Sequence, residues 1–139
     1  MKNIQDGFTA IVIGASGGIG GALAQRLQAM PSCARLVATA RRPEKAHGLA
    51  SVTRLDTADE EMIAEFAASL DGNIDLVINA TGLLHDPAQE IFPERSLRHL
   101  EMDKMLAVFK ANALGPALLI KHLLPKFPRQ QPAIFASLS

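Results

Sequence analysis

Six residues of strand-forming character, Phe8-Thr9-Ala10-Ile11-Val12-Ile13, run straight into Gly14-Ala15-Ser16-Gly17-Gly18-Ile19-Gly20-Gly21, and a helix-forming segment of small residues follows at once. A strand, a tight glycine turn and a helix in succession open a βαβ unit. Glycine lets the backbone turn sharply and come close to a bound group. The first amides of the helix have no intrahelical acceptor, and the helix dipole adds positive potential there, so the turn forms a cradle for an anion. A glycine-rich turn by itself also serves hairpins and caps; the strand before it and the helix behind it favour the cradle. The spacing is Gly-x-x-x-Gly-x-Gly with no Gly-Lys-Ser/Thr ending, which speaks against an ATP-hydrolysing P-loop.

The rest of the chain repeats the alternation of short apolar runs with longer helical segments, the pattern of a parallel sheet covered by helices. Further strands are expected around residues 36–39, over 51–55, over 74–79 and over 133–138. Helices are expected over 18–30, closed by Pro31, over 59–70, with Asp56 or Thr57 placed to cap its start, and over 101–124. The last carries Met105, Leu106, Phe109, Ala113, Ala117, Leu118 and Leu124 on a broad apolar surface, part of which is expected to face a partner subunit. Between residues 83 and 98, with Pro87 and Pro93, lies the longest irregular connection. Trp 0, Tyr 0 and Phe 6 leave the core to Ala, Leu, Ile and Val, as suits buried parallel strands.

Charge narrows the class of partner. Lys+Arg 14 against Asp+Glu 14 gives no net field, so neither nucleic acid nor an anionic membrane is expected, and a small molecule fits better. The single cysteine, Cys33, points to a reducing compartment, and no histidines stand near it at metal spacing. No stretch stays apolar long enough to span a bilayer. A soluble, cytoplasmic, metal-free protein is the expectation.

The segment Gly14-Ala15-Ser16-Gly17-Gly18-Ile19-Gly20 resembles the Thr-Gly-x-x-x-Gly-x-Gly signature of the short-chain dehydrogenases/reductases, with Ile13 in the threonine position. It is most similar to the branch holding carbonyl reductases and C-factor-like signalling proteins. The resemblance implies an α/β, Rossmann-type doubly wound parallel sheet in the order 3-2-1-4-5. Residues 1–139 would form its nucleotide-binding domain, cut after the fifth strand. Gly14, Ser16, Gly17, Gly18, Ile19 and Gly20 would then hold a pyrophosphate. In dinucleotide folds the end of the second strand reads the adenosine ribose, through an acid for NAD(H) or an arginine for a 2′-phosphate. Here Ala40-Arg41-Arg42 stands in that place. Ala40 brings no carboxylate and Arg41 offers a fork of donors, with Arg42 beside it, so NADP(H) is favoured over NAD(H). Asp56 resembles the family's aspartate that binds the adenine amino group, with Thr57 adding backbone contact; helix capping is the other reading of Asp56. Asn79-Ala80-Thr81-Gly82 resembles the family's Asn-Asn-Ala-Gly at its first and last residues, placing Asn79, Ala80 and Gly82 under the cofactor.

Asn112 is a mediocre helix former, and four residues later Pro116 has no amide hydrogen to give its carbonyl, so a kink is expected there. In the family, the matching asparagine carbonyl holds a water of the proton relay; the alternative is an irregularity that lets Gly115 pack closely. By the resemblance Ser139 would hydrogen-bond a substrate carbonyl, with Ser137 the other candidate. The family's Tyr-x-x-x-Lys is missing, since Tyr is 0. His85, in the loop after the fourth strand, is no obvious replacement. Either the chain is cut after its fifth strand, which is the preferred reading, or it is a cofactor-binding remnant. The resemblance implies hydride transfer between nicotinamide and a carbonyl or alcohol substrate, in a homodimer or homotetramer. The alternative is a non-catalytic NADP(H)-binding signalling or redox-sensing protein.

Overall fold

The computed structural model describes residues 4–87 and 90–138. Five strands, β1 (Phe8–Ile13), β2 (Cys33–Ala40), β3 (Thr53–Arg54), β4 (Leu76–Asn79) and β5 (Ile134–Ser137), form one sheet in the order β3-β2-β1-β4-β5. Every pairing is parallel. The expected order therefore holds. β1 lies in the middle because its residues 10–13 are apolar on both faces, and all four are buried. Ile11 and Ile13 meet Ile63, Leu119 and Leu123 on one side. Ala10 and Val12 meet Ala24 and Leu27 on the other. Cys33 packs against this second cluster, and burial pushes its thiol above the usual range.

Register sets the site. Ile13 pairs with Thr39 on one flank and with Asn79 on the other. The three central strands thus end level, and the turns that follow them emerge side by side. This is the crevice at the carboxyl edge of a doubly wound sheet, where ligands bind in such folds.

Helix α1 (Gly18–Gln28) stops two residues earlier than expected. Met30 precedes Pro31, and a residue before proline is pushed out of the helical region, so its amide turns back to the Leu27 carbonyl at 3.1 Å. Strand β3 is reduced to Thr53 and Arg54, which pair with Thr39 and Ala40, and the Leu55 amide adds one bond to the Ala40 carbonyl at 3.0 Å. Helix α2 (Glu60–Ser69) is capped by neither Asp56 nor Thr57. Asp59 does it, its Oδ1 accepting from the amides of Glu61 and Met62 at 3.0 and 3.2 Å. Asp56 turns instead to the Ala58 amide at 3.0 Å. Replacing Asp59 with Ala is expected to lower unfolding stability by about 1 kcal/mol, seen as a fall in the urea midpoint with an unchanged slope.

The long third helix is interrupted. α3 (Met102–Phe109) passes into a π turn over Lys110–Leu114 and then into α4 (Gly115–Leu123). The Gly115 amide donates to the carbonyl of Lys110, five residues back. Instead of a proline kink inside one helix, the wider turn places Pro116 in the first turn of a new one, where its missing N–H costs nothing. Gly115 also packs closely: a Cβ there would stand 2.9 Å from the Thr57 carbonyl oxygen. The expected irregularity and the close packing of Gly115 thus occur together, as a π turn and not as a proline kink. Among the described residues no helix is long and apolar enough to cross a membrane.

Candidate nucleotide site

The glycine turn is fixed by backbone alone. The amides of Gly14 and Ala15 both donate to the Thr39 carbonyl, at 2.9 and 2.8 Å. Gly14 has φ +90°, the left-handed region that glycine occupies freely, and a side chain there would press on the Ala80 peptide at 2.9 Å. A Cβ on Gly20 would overlap the Gly14 carbonyl oxygen. Gly18 differs, having nothing within 4 Å of such a Cβ. Gly17 caps α1 without a side-chain hydrogen bond, and no acidic residue stands in the first turn. The leading amides therefore meet no side chain of their own helix, and they open on Ser16 and Gly17, both exposed.

In front of the turn lies a cleft of about 520 Å³. It brings together Gly14, Ser16 and Gly17 with Arg41, with Asp56 and Thr57, and with Ala80 and Gly82. Eight of the residues singled out in the sequence thus share one surface. Gly18, Ile19, Gly20, Arg42, Asn79 and Asn112 do not line it. The other wall was missed: Asp103, Leu106, Ala107, Lys110 and Ala111, from α3 and the π turn. Their spacing i, i+3, i+4, i+7, i+8 is one helical face, and that periodicity was a usable signal.

Two asparagines support the cleft from outside it. Asn79 is fully buried; its Nδ2 donates to Ser137 Oγ at 3.0 Å, and its Oδ1 accepts from the Thr81 hydroxyl and amide at 2.6 and 3.2 Å. It ties β4 to β5 and shapes the turn behind β4. Asn112 reaches from the π turn to Leu83, accepting from its amide at 2.7 Å and donating to its carbonyl at 2.9 Å. Pro116 leaves the Asn112 carbonyl without its α-helical donor, as expected. Ser139 lies outside the described residues, so Ser137 alone of the serine candidates is placed.

Arg41 is not a loose surface charge. Its Nη2 stands 2.8 Å from Oδ2 of Asp86, and the Arg42 Nη2 is 3.8 Å from the same oxygen. The Asp86 side chain is 5% exposed, against 39% for Arg41. His85, beside it, lies with its ring 5.1 Å from that of Phe92, an ordinary packing contact.

The profile of the short chain dehydrogenase family matches residues 8–135, and the chain belongs to that family. Solved structures agree. A metagenomic short-chain oxidoreductase in complex with NADP is 29% identical, with a TM-score of 0.71 over 88% of this chain and 57% of its own. A short-chain dehydrogenase from Streptomyces avermitilis is 26% identical, with a TM-score of 0.72 over 88% of this chain and 45% of its own. An NADPH-bound carbonyl reductase from chicken fatty liver, at 23% identity and a TM-score of 0.72, covers 89% of this chain and 49% of its own and shares the fold. The chain spans roughly half the length of these structures. No curated protein matches it at the sequence level.

Proposed function

We propose that residues 1–139 are the NADP(H)-binding portion of an oxidoreductase that moves a hydride between nicotinamide and a carbonyl or alcohol substrate. The observation that carries this reading is the convergence of the glycine turn, Arg41 and Asp56 on one cleft, from positions far apart in the sequence. The residues fit the dinucleotide. Gly18 leaves open space where a phosphate would come close, whereas Gly14 and Gly20 have none to spare for a side chain. The amides at the start of α1 would hold the pyrophosphate, Arg41 would take the 2′-phosphate and Asp56 the adenine amino group. Ala80 and Gly82 would underlie the nicotinamide half, with Asn79 and Asn112 holding their loops in shape. The hydride itself is the cofactor's contribution. The two NADP-bound structures above support the choice of nucleotide.

Titration of the chain with NADPH and with NADH, read by nicotinamide fluorescence, tests the assignment. NADPH is expected to bind at least about tenfold more tightly, and Arg41→Ala to erase that margin, since a charged hydrogen bond contributes about 1.5–3 kcal/mol. Equal affinities in the unaltered chain would sink it. Tyr 0 favours a second reading for these 139 residues taken alone: binding without turnover. Steady NADPH oxidation by them on a panel of aldehydes and ketones would contradict that. Exposed Met105 and Phe109 on α3, outside the cleft, fit the expected homodimer or homotetramer.

A further inference from the structure

We propose that Asp86 is the positioning residue for Arg41, holding its guanidinium over the cleft before the nucleotide arrives; the inference rests on the NADP(H) reading above. The two residues are 45 positions apart, and the geometry shows which holds which. Asp86 is fixed by its own backbone. Its amide donates to the Ile91 carbonyl at 2.9 Å and its carbonyl accepts from the Ile91 amide at 3.0 Å, an antiparallel bridge between the two residues. Ile91 is buried, so the bridge it forms with Asp86 is shielded from water. The Asp86 carboxylate is therefore a fixed point. Arg41 is a long, partly exposed side chain with many rotamers, and it is the mobile partner.

One nitrogen of the guanidinium, Nη2, turns toward Asp86. A guanidinium carries five N–H donors, so the ion pair leaves donors on the same rigid fork for a phosphate, while Arg41 still lines the cleft. Arg42, whose Nη2 is 3.8 Å from the same carboxylate, adds a second positive charge behind Arg41, so the cluster of the three residues keeps a net positive charge. An arginine held in this way gives up less freedom on binding than a free one. The opposite possibility is that Asp86 competes with the phosphate for Arg41. The two ideas predict changes of opposite sign.

The test is Asp86→Asn, which keeps the size of the side chain and removes its charge. Dissociation constants for NADPH and NADH are measured on the unaltered chain and on the variant. The ratio of NADH to NADPH constants is expected to fall about threefold to tenfold, the cost of immobilising one free arginine. NADH affinity stays unchanged, a split that general loosening of the fold would not produce. A ratio that is unchanged, or that rises, overturns the role of Asp86 while leaving the NADP(H) reading intact. No preference for NADPH in the unaltered chain removes both. A measurement without substitution guards against a variant that fails to fold: the Arg41 guanidinium protons in the nucleotide-free protein are expected to exchange slowly and give resolved resonances. Averaged, fast-exchanging signals there overturn the proposal.

Discussion

Gly20→Ala is expected to unfold at a much lower denaturant concentration than the unaltered chain, at a cost of about 3 kcal/mol. The added methyl would overlap the Gly14 carbonyl oxygen, a backbone atom that cannot swing aside. Gly14 is held in place, because its amide is bonded to the Thr39 carbonyl at 2.9 Å. Overpacking against a fixed backbone stands at the upper end of the usual 1–3 kcal/mol range. Gly18→Ala, two residues earlier in the same signature, is the contrasting case. Nothing lies within 4 Å of the new methyl, and alanine is the better helix former by roughly 0.5–1 kcal/mol. That variant should fold as well as the parent or better and yet lose nucleotide affinity, because the methyl stands where the pyrophosphate is proposed to approach. Paired melts and NADPH titrations separate the two glycines; equal loss of stability in both would show that the signature is structural throughout.

Asn79→Leu is the second large expectation. The two side chains have the same number of heavy atoms and the same branching, so the substitution removes the hydrogen bonds while keeping the shape, although the leucine methyls are bulkier and add some overpacking. It leaves the Ser137 hydroxyl without its donor and the Thr81 amide and hydroxyl without their acceptor. A buried polar group stripped of its partner costs about 1–3 kcal/mol. Part of this is recovered by water, since Thr81 is only half-buried and Ser137 is exposed, so a total of about 2–3 kcal/mol is expected. Urea unfolding would measure it. NADPH affinity should fall beyond the stability loss, because the turn carrying Ala80 and Gly82 is shaped from Asn79; unchanged affinity in the folded variant would place that turn outside the nucleotide site.

Much of the fold was legible because its signals are local. β1 is bounded by Gly7 and Gly14, and its six residues match the apolar run. The glycine signature declares both its own backbone and the level at which the strands end. Other features depend on partners that spacing does not reveal. Asp56, Thr57 and Asp59 are all credible caps, and only the one directly before Glu60 reaches two amides; Thr57 is buried against Gly115 instead. The pairing of Arg41 with Asp86 joins the end of β2 to the loop after β4 and leaves no trace in either segment alone. The π turn is a third case. The sequence announced trouble at Pro116, but the chain resolved it upstream, where Asn112 also meets Leu83.

That turn has a consequence for helical phase. A π turn contains one residue more than the α turn it replaces, and one residue corresponds to about 100° of rotation about the axis. The residues before and after it are therefore out of step with a single continuous helix. Leu119 and Leu123 point into the core while Met105 and Phe109 face outward, an arrangement that depends on the extra residue. Deleting one position within Lys110–Leu114 would make the backbone more regular and the protein worse: the downstream leucines would rotate by about a quarter-turn away from Ile11 and Ile63. The irregularity works as a phase shifter, letting one rod present two different faces to its surroundings.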